Sequence, residues 1–352
     1  MATINPSQDY DIIHTLTFDS TGGNMAIRLF MGSNTATSGT VYYRAGTSGS
    51  WTSLSVSGTS TTFPVTDTTM QVAHDWNKSG DDYMTPSWQS SPKQPITISI
   101  SQKAVLSGSV GAYFMYAYAY TCSSLTSLDV PDTSNVTSVV GSNFMSSYAL
   151  NCTSLTSLSI PDTSSLTSVV GNNFMYRYAY NCSSLTSLSV PDTSNVTSVG
   201  SNFMFMYAYN CSSLTSLDVP DISGVTSVPS GFMREYAYGC SSLTSLSIPD
   251  TSSVTSVGSN FMYYYAYGCS SLTKLILPNT TSYFSTTNVG WGVPSARLGL
   301  LKGYVKTPSA KTAWEALTVS GKTLYTNYIR STSDIVLDVI PFNSEIFRRR
   351  LL

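Results

Sequence analysis

Charge is what this sequence has least of. Its 352 residues include 17 Lys and Arg and 19 Asp and Glu, so about one residue in ten is charged, against roughly 25% in an ordinary soluble domain. A net charge of −2 removes the electrostatic footprint of a nucleic-acid binder, and the one basic cluster is Arg348, Arg349 and Arg350. No stretch approaches the ~18 consecutive apolar residues of a membrane-spanning helix, so no membrane insertion is expected. The six cysteines form no Cys-x-x-Cys pair and the histidines number 2, which leaves no ligand set for the common zinc sites. G-x-S-x-G, P-loop and H-E-x-x-H phrases are also missing. His74-Asp75 supplies residue types for a hydrolytic triad and Asp81-Asp82 for calcium, but nothing else around them builds either site. A non-enzymatic protein without cofactor or metal is the expectation. The first residues, Met-Ala-Thr-Ile-Asn-Pro-Ser, show neither the basic nor the apolar segment of a secretory signal.

What is present is apolar and aromatic: hydrophobic residues make up 41%, and 24 Tyr outnumber 13 Phe and 5 Trp. That content argues against disorder, which needs low hydrophobicity and high net charge. The length suggests two or three domains. All six cysteines, Cys122, Cys152, Cys182, Cys211, Cys240 and Cys269, fall at intervals of 29 or 30 residues, each opening a near-copy of CSSLTSLSIPDTSNVTSV followed by GSNFMxxYAYN. Within a unit, Leu125, Leu128 and Val130 mark a short strand that Pro131 ends, and Pro-Asp-Thr-Ser reads as a turn. Phe-Met-x-x-Tyr-Ala-Tyr-Asn-Cys places apolar groups at i, i+1, i+4, i+5 and i+8, which predicts a short helix. Such units bury a core only by stacking, so a solenoid is implied.

The units resemble bacterial leucine-rich repeats of the BspA type, whose phrase of an aromatic residue, x, x, Cys-x-x-Leu-x-x-Leu-x-Ile-Pro is matched from Tyr118 to Pro131 and in each later unit. DTSNVTS at Asp132 to Ser138 and Asp192 to Ser198 also resembles Mycoplasma-type surface repeats. Extra residues around GSNFM lengthen the units relative to that pattern. VYYRAGTSGSWTSLSVSG, from Val41 to Gly58, is similar to small β domains that precede such repeats in gut-bacterial and phage surface proteins. The resemblance implies a surface protein.

The fold expected is mixed β/α, in three parts. Residues 1–100 alternate apolar and polar positions in short runs, at His14–Phe18, Met25–Phe30, Thr40–Arg44, Thr52–Val56 and Ile96–Ile100, and predict a β-sandwich. Residues 101–280 form the leucine-rich-repeat solenoid, with one short strand and one short helix per unit of 29–30 residues. Residues 281–352 form a C-terminal cap and tail, with a helix within Tyr304–Leu317 and a strand near Asp334–Pro341. Pro92 and Pro95 mark the first boundary.

Each repeated residue of chemical interest has a structural reading beside the functional one. The cysteines read as small buried hydrophobes, and Asp132, Asp162, Asp192, Asp221 and Asp250 as turn caps rather than a cation ladder. One feature points outward. On a helical wheel the second Tyr of Tyr-Ala-Tyr and the two variable positions lie opposite the apolar arc. The binding stripe so defined comprises Tyr176, Tyr180, Phe205, Met206, Tyr209, Tyr238, Tyr263, Tyr264 and Tyr267. Contiguous exposed aromatic surface marks contact sites. The function expected is surface binding to a host glycan or protein, as a phage virion component that also contacts other virion proteins. The alternative is a bacterial cell-surface adhesin. The basic tail is a candidate for docking onto another subunit of an oligomer.

Overall fold

Alternating apolar residues build the N-terminal region from β1 (Ile12–Thr17), β2 (Asn24–Phe30), β3 (Ala36–Thr37), β4 (Gly39–Ala45), β5 (Thr52–Val56), β6 (Thr61–Pro64), β7 (Thr69–His74), β8 (Thr85–Gln89) and β9 (Thr97–Gln102). The structure, a computed structural model, describes residues 12–30, 36–37, 39–57, 60–74, 85–89, 93–102, 106–278, 302–305, 308–315 and 335–337. Asp75, Asp81, Asp82, Pro92 and the Arg348–Arg350 cluster lie outside them. One antiparallel sheet has the order β9-β1-β7-β4-β5, and a second has the order β8-β2-β3 with β6 also on β2. Ile12, Leu16, Met25, Ile27, Val41, Met70, Val72, Trp88 and Ile98 are buried in one core.

Both sheets run on into the repeats. After β10 (Ser107–Val110), β11 (Ala119–Tyr120) pairs in parallel with β8 and β12 (Ser127–Leu128) pairs in parallel with β9. Residues 12–102 thus cover the first coil, whose strand edges would otherwise invite aggregation. Paired strands cross the boundary expected at residue 100.

Each coil has three sides. The Leu-Thr-Ser-Leu side turns both leucines inward and its Thr and Ser mostly outward; Leu125, Leu155, Leu185, Leu214, Leu243 and Leu272 are fully buried. The Val-Thr-Ser-Val side carries β13 (Asn135–Val139), parallel to β10, and β14 (Ser168–Val169), parallel to β13. Later coils repeat the two sides. β15 (Ser187–Leu188) pairs with β16 (Ser216–Leu217), β17 (Ser227–Val228) with β19 (Ser256–Val257), and β18 (Ser245–Ser247) with β20 (Lys274–Ile276), all in parallel. At the corner between the sides, the carboxylates of Asp132, Asp162, Asp192, Asp221 and Asp250 each accept from the backbone N–H two residues on, at 2.9–3.0 Å.

The third side departs from expectation. The predicted helix does not form, and the mixed β/α description gives way to a β-solenoid; among the described residues the helix is α1 (Pro308–Glu315), beyond the repeats. The Phe-Met segment is instead a ribbon in which φ changes sign. Asn143, Met145, Ser147 and Asn151 have φ of 68°, 47°, 58° and 60°, and the same places are positive in every later coil. Alternating hand cancels helical winding, so the chain advances as a flat run of turns. Ser146 and Leu150 N–H groups close turns onto Asn143 and Ser147 carbonyls. The N–H groups of Asn143, Ser147, Ala149 and Asn151 cross to Asn172, Tyr176, Tyr178 and Tyr180 carbonyls of the next coil at 2.7–2.9 Å. Side chains fall two in, two out: Phe174, Met175, Tyr178, Ala179 and Cys182 are buried, while Tyr176, Arg177 and Tyr180 are only half-buried. That period of four drifts only ~40° per step on a wheel of ~100° per residue, which is why it imitates a helix. Close approach of coils also fixes a glycine, since a Cβ on Gly171 would lie 1.9 Å from the Gly141 carbonyl oxygen.

Stacking puts like on like. Phe114, Phe144, Phe174, Phe203, Phe232 and Phe261 form one column at 5.2–5.8 Å. Tyr118, Tyr148, Tyr178, Tyr207, Tyr236 and Tyr265 form another at 5.1–5.5 Å. From Tyr148 onward each hydroxyl of that column donates to a backbone carbonyl, as Tyr178 does to Ser159 at 2.7 Å. All six cysteines are free and buried. Five donate S–H to an alanine carbonyl of the preceding coil at 3.0–3.1 Å, as Cys182 does to Ala149. Burial raises their pKa, to about 12 for Cys122, Cys211 and Cys269.

Beyond β20, β21 (Lys302–Val305) and β22 (Ile335–Leu337) extend the sheet in parallel. The predicted C-terminal helix is shorter, because Tyr304 and Val305 belong to β21. Ala310 and Trp314 are its buried positions, and Trp314 Nε1 donates to the Pro278 carbonyl at 2.8 Å. Ala313 is half-buried, and Leu317 lies outside the described residues.

Two stability measurements check this packing. Asn181, with φ of 58°, should tolerate Gly far better than Val: Asn181→Val is expected to cost about 1–2 kcal/mol or more in urea unfolding, the penalty of a left-handed conformation for a branched residue. In the folded protein all six thiols should resist alkylation and then react together on denaturation. Cys182→Ala should lower stability by about 1 kcal/mol through a small cavity and a lost donor.

Candidate functional site

The outward half of the ribbon carries the aromatic surface. Two-in, two-out spacing turns the second Tyr of Tyr-Ala-Tyr away from the core, and stacking aligns it from coil to coil. Tyr180 and Tyr209 are 4.6 Å apart between ring centroids with planes 5° apart. Tyr209 and Tyr238 are 4.5 Å and 7° apart, and Tyr238 and Tyr267 4.9 Å and 21°. Tyr267 ends the column and is exposed, while its three partners are half-buried by one another. Burial first, and then the flanking Tyr180 and Tyr238, push the Tyr209 phenol up to about 12, so it stays protonated at any physiological pH.

Beside this column lie the positions at which the coils differ. Tyr176 meets Phe205 edge-on at 5.2 Å, and Tyr263 meets Tyr264 at 4.0 Å. The Arg177 guanidinium lies over the rings of Tyr176 and Tyr180, at 4.8 and 5.2 Å, and its Nε donates to Met206 Sδ at 3.4 Å. Arg234 lies over Phe205 and Tyr263, at 5.1 and 5.5 Å, and its Nε donates to Glu235 Oε1 at 3.0 Å. Cation–π contacts of this kind contribute roughly 0.5–1 kcal/mol at exposed sites. The residues expected in the stripe therefore lie along one face of the ribbon, joined by Arg177 and Arg234.

The stripe is not continuous over the whole array. In the second coil Ser146, Ser147 and Leu150, expected to face water, are buried. Tyr120 is thus separated from the column that begins at Tyr180.

A groove of about 280 Å³ between the Pro-Asp corners of the last coils is lined by Asp221 and Asp250 together with Val219, Ile248 and Pro278. Both carboxylates are engaged as turn caps there. No group of three metal-ligating side chains exists among the described residues, and no helix among them is long and apolar enough to cross a membrane. His74 lies buried on β7 with its Nε2 3.0 Å from that of His14 on β1. That buried pair went unforeseen in the sequence; its signal was two histidines set among the inward positions of short strands.

A solenoid of six coils with ladders of identical residues defines a repeat-based binding scaffold. Residues 114–288 match the BspA type leucine rich repeat region in six copies, so the segment is an array of those repeats. Neither the curated proteins nor the solved structures compared with the chain gave a match.

The stacked column should register in stability. Tyr209→Ser removes two ring pairs and is expected to cost about 1–3 kcal/mol by thermal or urea unfolding, more than an exposed position would. Tyr209→Phe keeps both stacks and should stay within about 0.5 kcal/mol.

Proposed function

We propose that this protein is a non-enzymatic surface binding protein that recognises its partner through the aromatic face of the ribbon, in the setting of a phage virion or, failing that, a bacterial cell surface. The observation that carries the reading is the Tyr180–Tyr209–Tyr238–Tyr267 column flanked by the positions at which otherwise near-identical coils differ. A scaffold that repeats its core and varies one outward row concentrates its differences where a partner is met. Tyrosine suits this use, since it gives large rigid contact area at low entropic cost together with a hydroxyl.

The stack narrows what can bind. Ring faces within the column are closed against one another, so a sugar ring has no free face to stack on there; edges and hydroxyls point outward. Tyr267 is exposed, and the flanking Tyr176, Phe205, Tyr263 and Tyr264 are half-buried, their faces partly covered by Arg177, Arg234 and one another. This favours a protein partner meeting a few aromatic hot spots over a glycan laid along the column. With Arg177 and Arg234 as its few charges, the latter paired to the buried Glu235, the face should bind with weak salt dependence.

The protein should co-purify with intact virions from a lysate. A Phe205→Ser, Tyr263→Ser double variant, which spares the column, should keep the fold and weaken attachment to particles or host cells roughly tenfold, about 1.4 kcal/mol. Unchanged attachment by a folded double variant would remove this face from the function.

A further inference from the structure

The N-terminal sheets and the first coil meet at a buried cluster that the binding reading does not use. His14 of β1 and His74 of β7 are both fully buried. Their Nε2 atoms are 3.0 Å apart, and their ring centroids 5.2 Å with planes 14° apart. Across that distance the two nitrogens share one proton, so one imidazole donates and the other must accept. On its other side, His14 Nδ1 shares a hydrogen bond of 2.7 Å with the hydroxyl of Tyr118. Trp88 of β8 closes the cluster edge-on, 5.3 Å from His14 and 6.4 Å from Tyr118.

Tyr118 is the first member of the inner tyrosine column. From Tyr148 to Tyr265 the hydroxyls donate to a backbone carbonyl 18 or 19 residues earlier, so repeat meets repeat. Tyr118 has no earlier repeat beneath it, and its hydroxyl meets an imidazole of the N-terminal sheets instead. A hydrogen-bond chain from β7 through β1 to the first ribbon therefore ties the two parts together where their strands also pair.

We propose that the His14–His74–Tyr118 cluster is an acid-sensitive latch that holds the N-terminal sheets onto the first coil. Protonating one ring buries an uncompensated charge in a dry site, and protonating both sets two like charges 3.0 Å apart and removes the shared hydrogen bond. Burial first, and His74 second, hold the His14 pKa well below its ordinary value. As pH falls through about 6.5, the unfolded or opened chain takes up protons that the closed form refuses. The latch is at full strength above that value and weakens below it. The other titratable groups at the junction act on Tyr118: Asp129, whose Oδ2 accepts from the Ile100 N–H at 3.2 Å, and the buried Cys122. Burial raises the Cys122 pKa to about 12, so that thiol keeps its proton between pH 7 and 5.

Hydrogen exchange on the full chain at pH 7 and pH 5, corrected for the intrinsic rates, tests this. Exchange in residues 12–17, 69–74 and 114–121 should rise at least tenfold at pH 5, while residues 203–272 keep their protection. A His14→Gln, His74→Gln double variant, which retains hydrogen-bonding side chains that do not titrate, should lose that difference. A uniform response, no response, or the same response in the double variant overturns the proposal. Should the double variant not fold, NMR titration of the wild type decides, since the chain has 2 His. Both rings should stay neutral until the junction opens and then protonate with it. An ordinary titration near 6.5 in an intact fold contradicts the latch.

Discussion

Everything in this molecule depends on the hydrogen bonds that cross from one coil to the next along the ribbon. An isolated residue in the left-handed region costs about 1–2 kcal/mol, and each ribbon holds several, Met145, Met175 and Met204 among them. What offsets that cost is position: the flat run aims alternate N–H groups, such as those of Asn143, Ser147, Ala149 and Asn151, at carbonyls of the neighbouring coil. One coil alone has no such partner. The array therefore forms together, and its fixed register stacks Phe on Phe, Tyr on Tyr and Cys beneath a carbonyl.

The period, the inward residues and the turn-capping role of the aspartates were all legible in the sequence, because identical units must place identical residues alike. The helix was not. Two-in, two-out spacing at Phe144, Met145, Tyr148, Ala149 and Cys152 satisfies a helical wheel as well as a flat ribbon. The discriminating signal was present at other positions. Asn143, Asn173 and Asn202 are replaced by Gly231 in the fifth repeat, and Asn151, Asn181 and Asn210 by Gly239 and Gly268. Asn and Gly exchange where φ is positive, and a helix interior gives no reason for it. Of the N-terminal strands absent from the expected runs, Thr61–Pro64 and Thr85–Gln89 each contain a proline, which weakens a strand reading, whereas Thr69–His74 contains none.

The candidate site follows from the same register. Outward tyrosines become a column because the coils place them 4.5–4.9 Å apart, and flanking residues vary because nothing in the core constrains them. The outward turn of Tyr180, Tyr209, Tyr238 and Tyr267 was expected from the sequence, yet the first three are half-buried by one another, which no wheel could indicate. At the other end of the array the register has no earlier coil to meet, and the N-terminal sheets supply the substitute, with His14 standing where a repeat would offer a carbonyl.

The alternating hand of the ribbon is the claim on which the rest stands, and the sign of φ at Met145, Met175, Met204, Met233 and Met262 tests it most directly. NMR scalar couplings or a crystal structure would measure it. The account predicts φ near +50° at all five, in keeping with the 47° to 51° found here. Values near the helical −63° would contradict it, and with it the column of outward tyrosines.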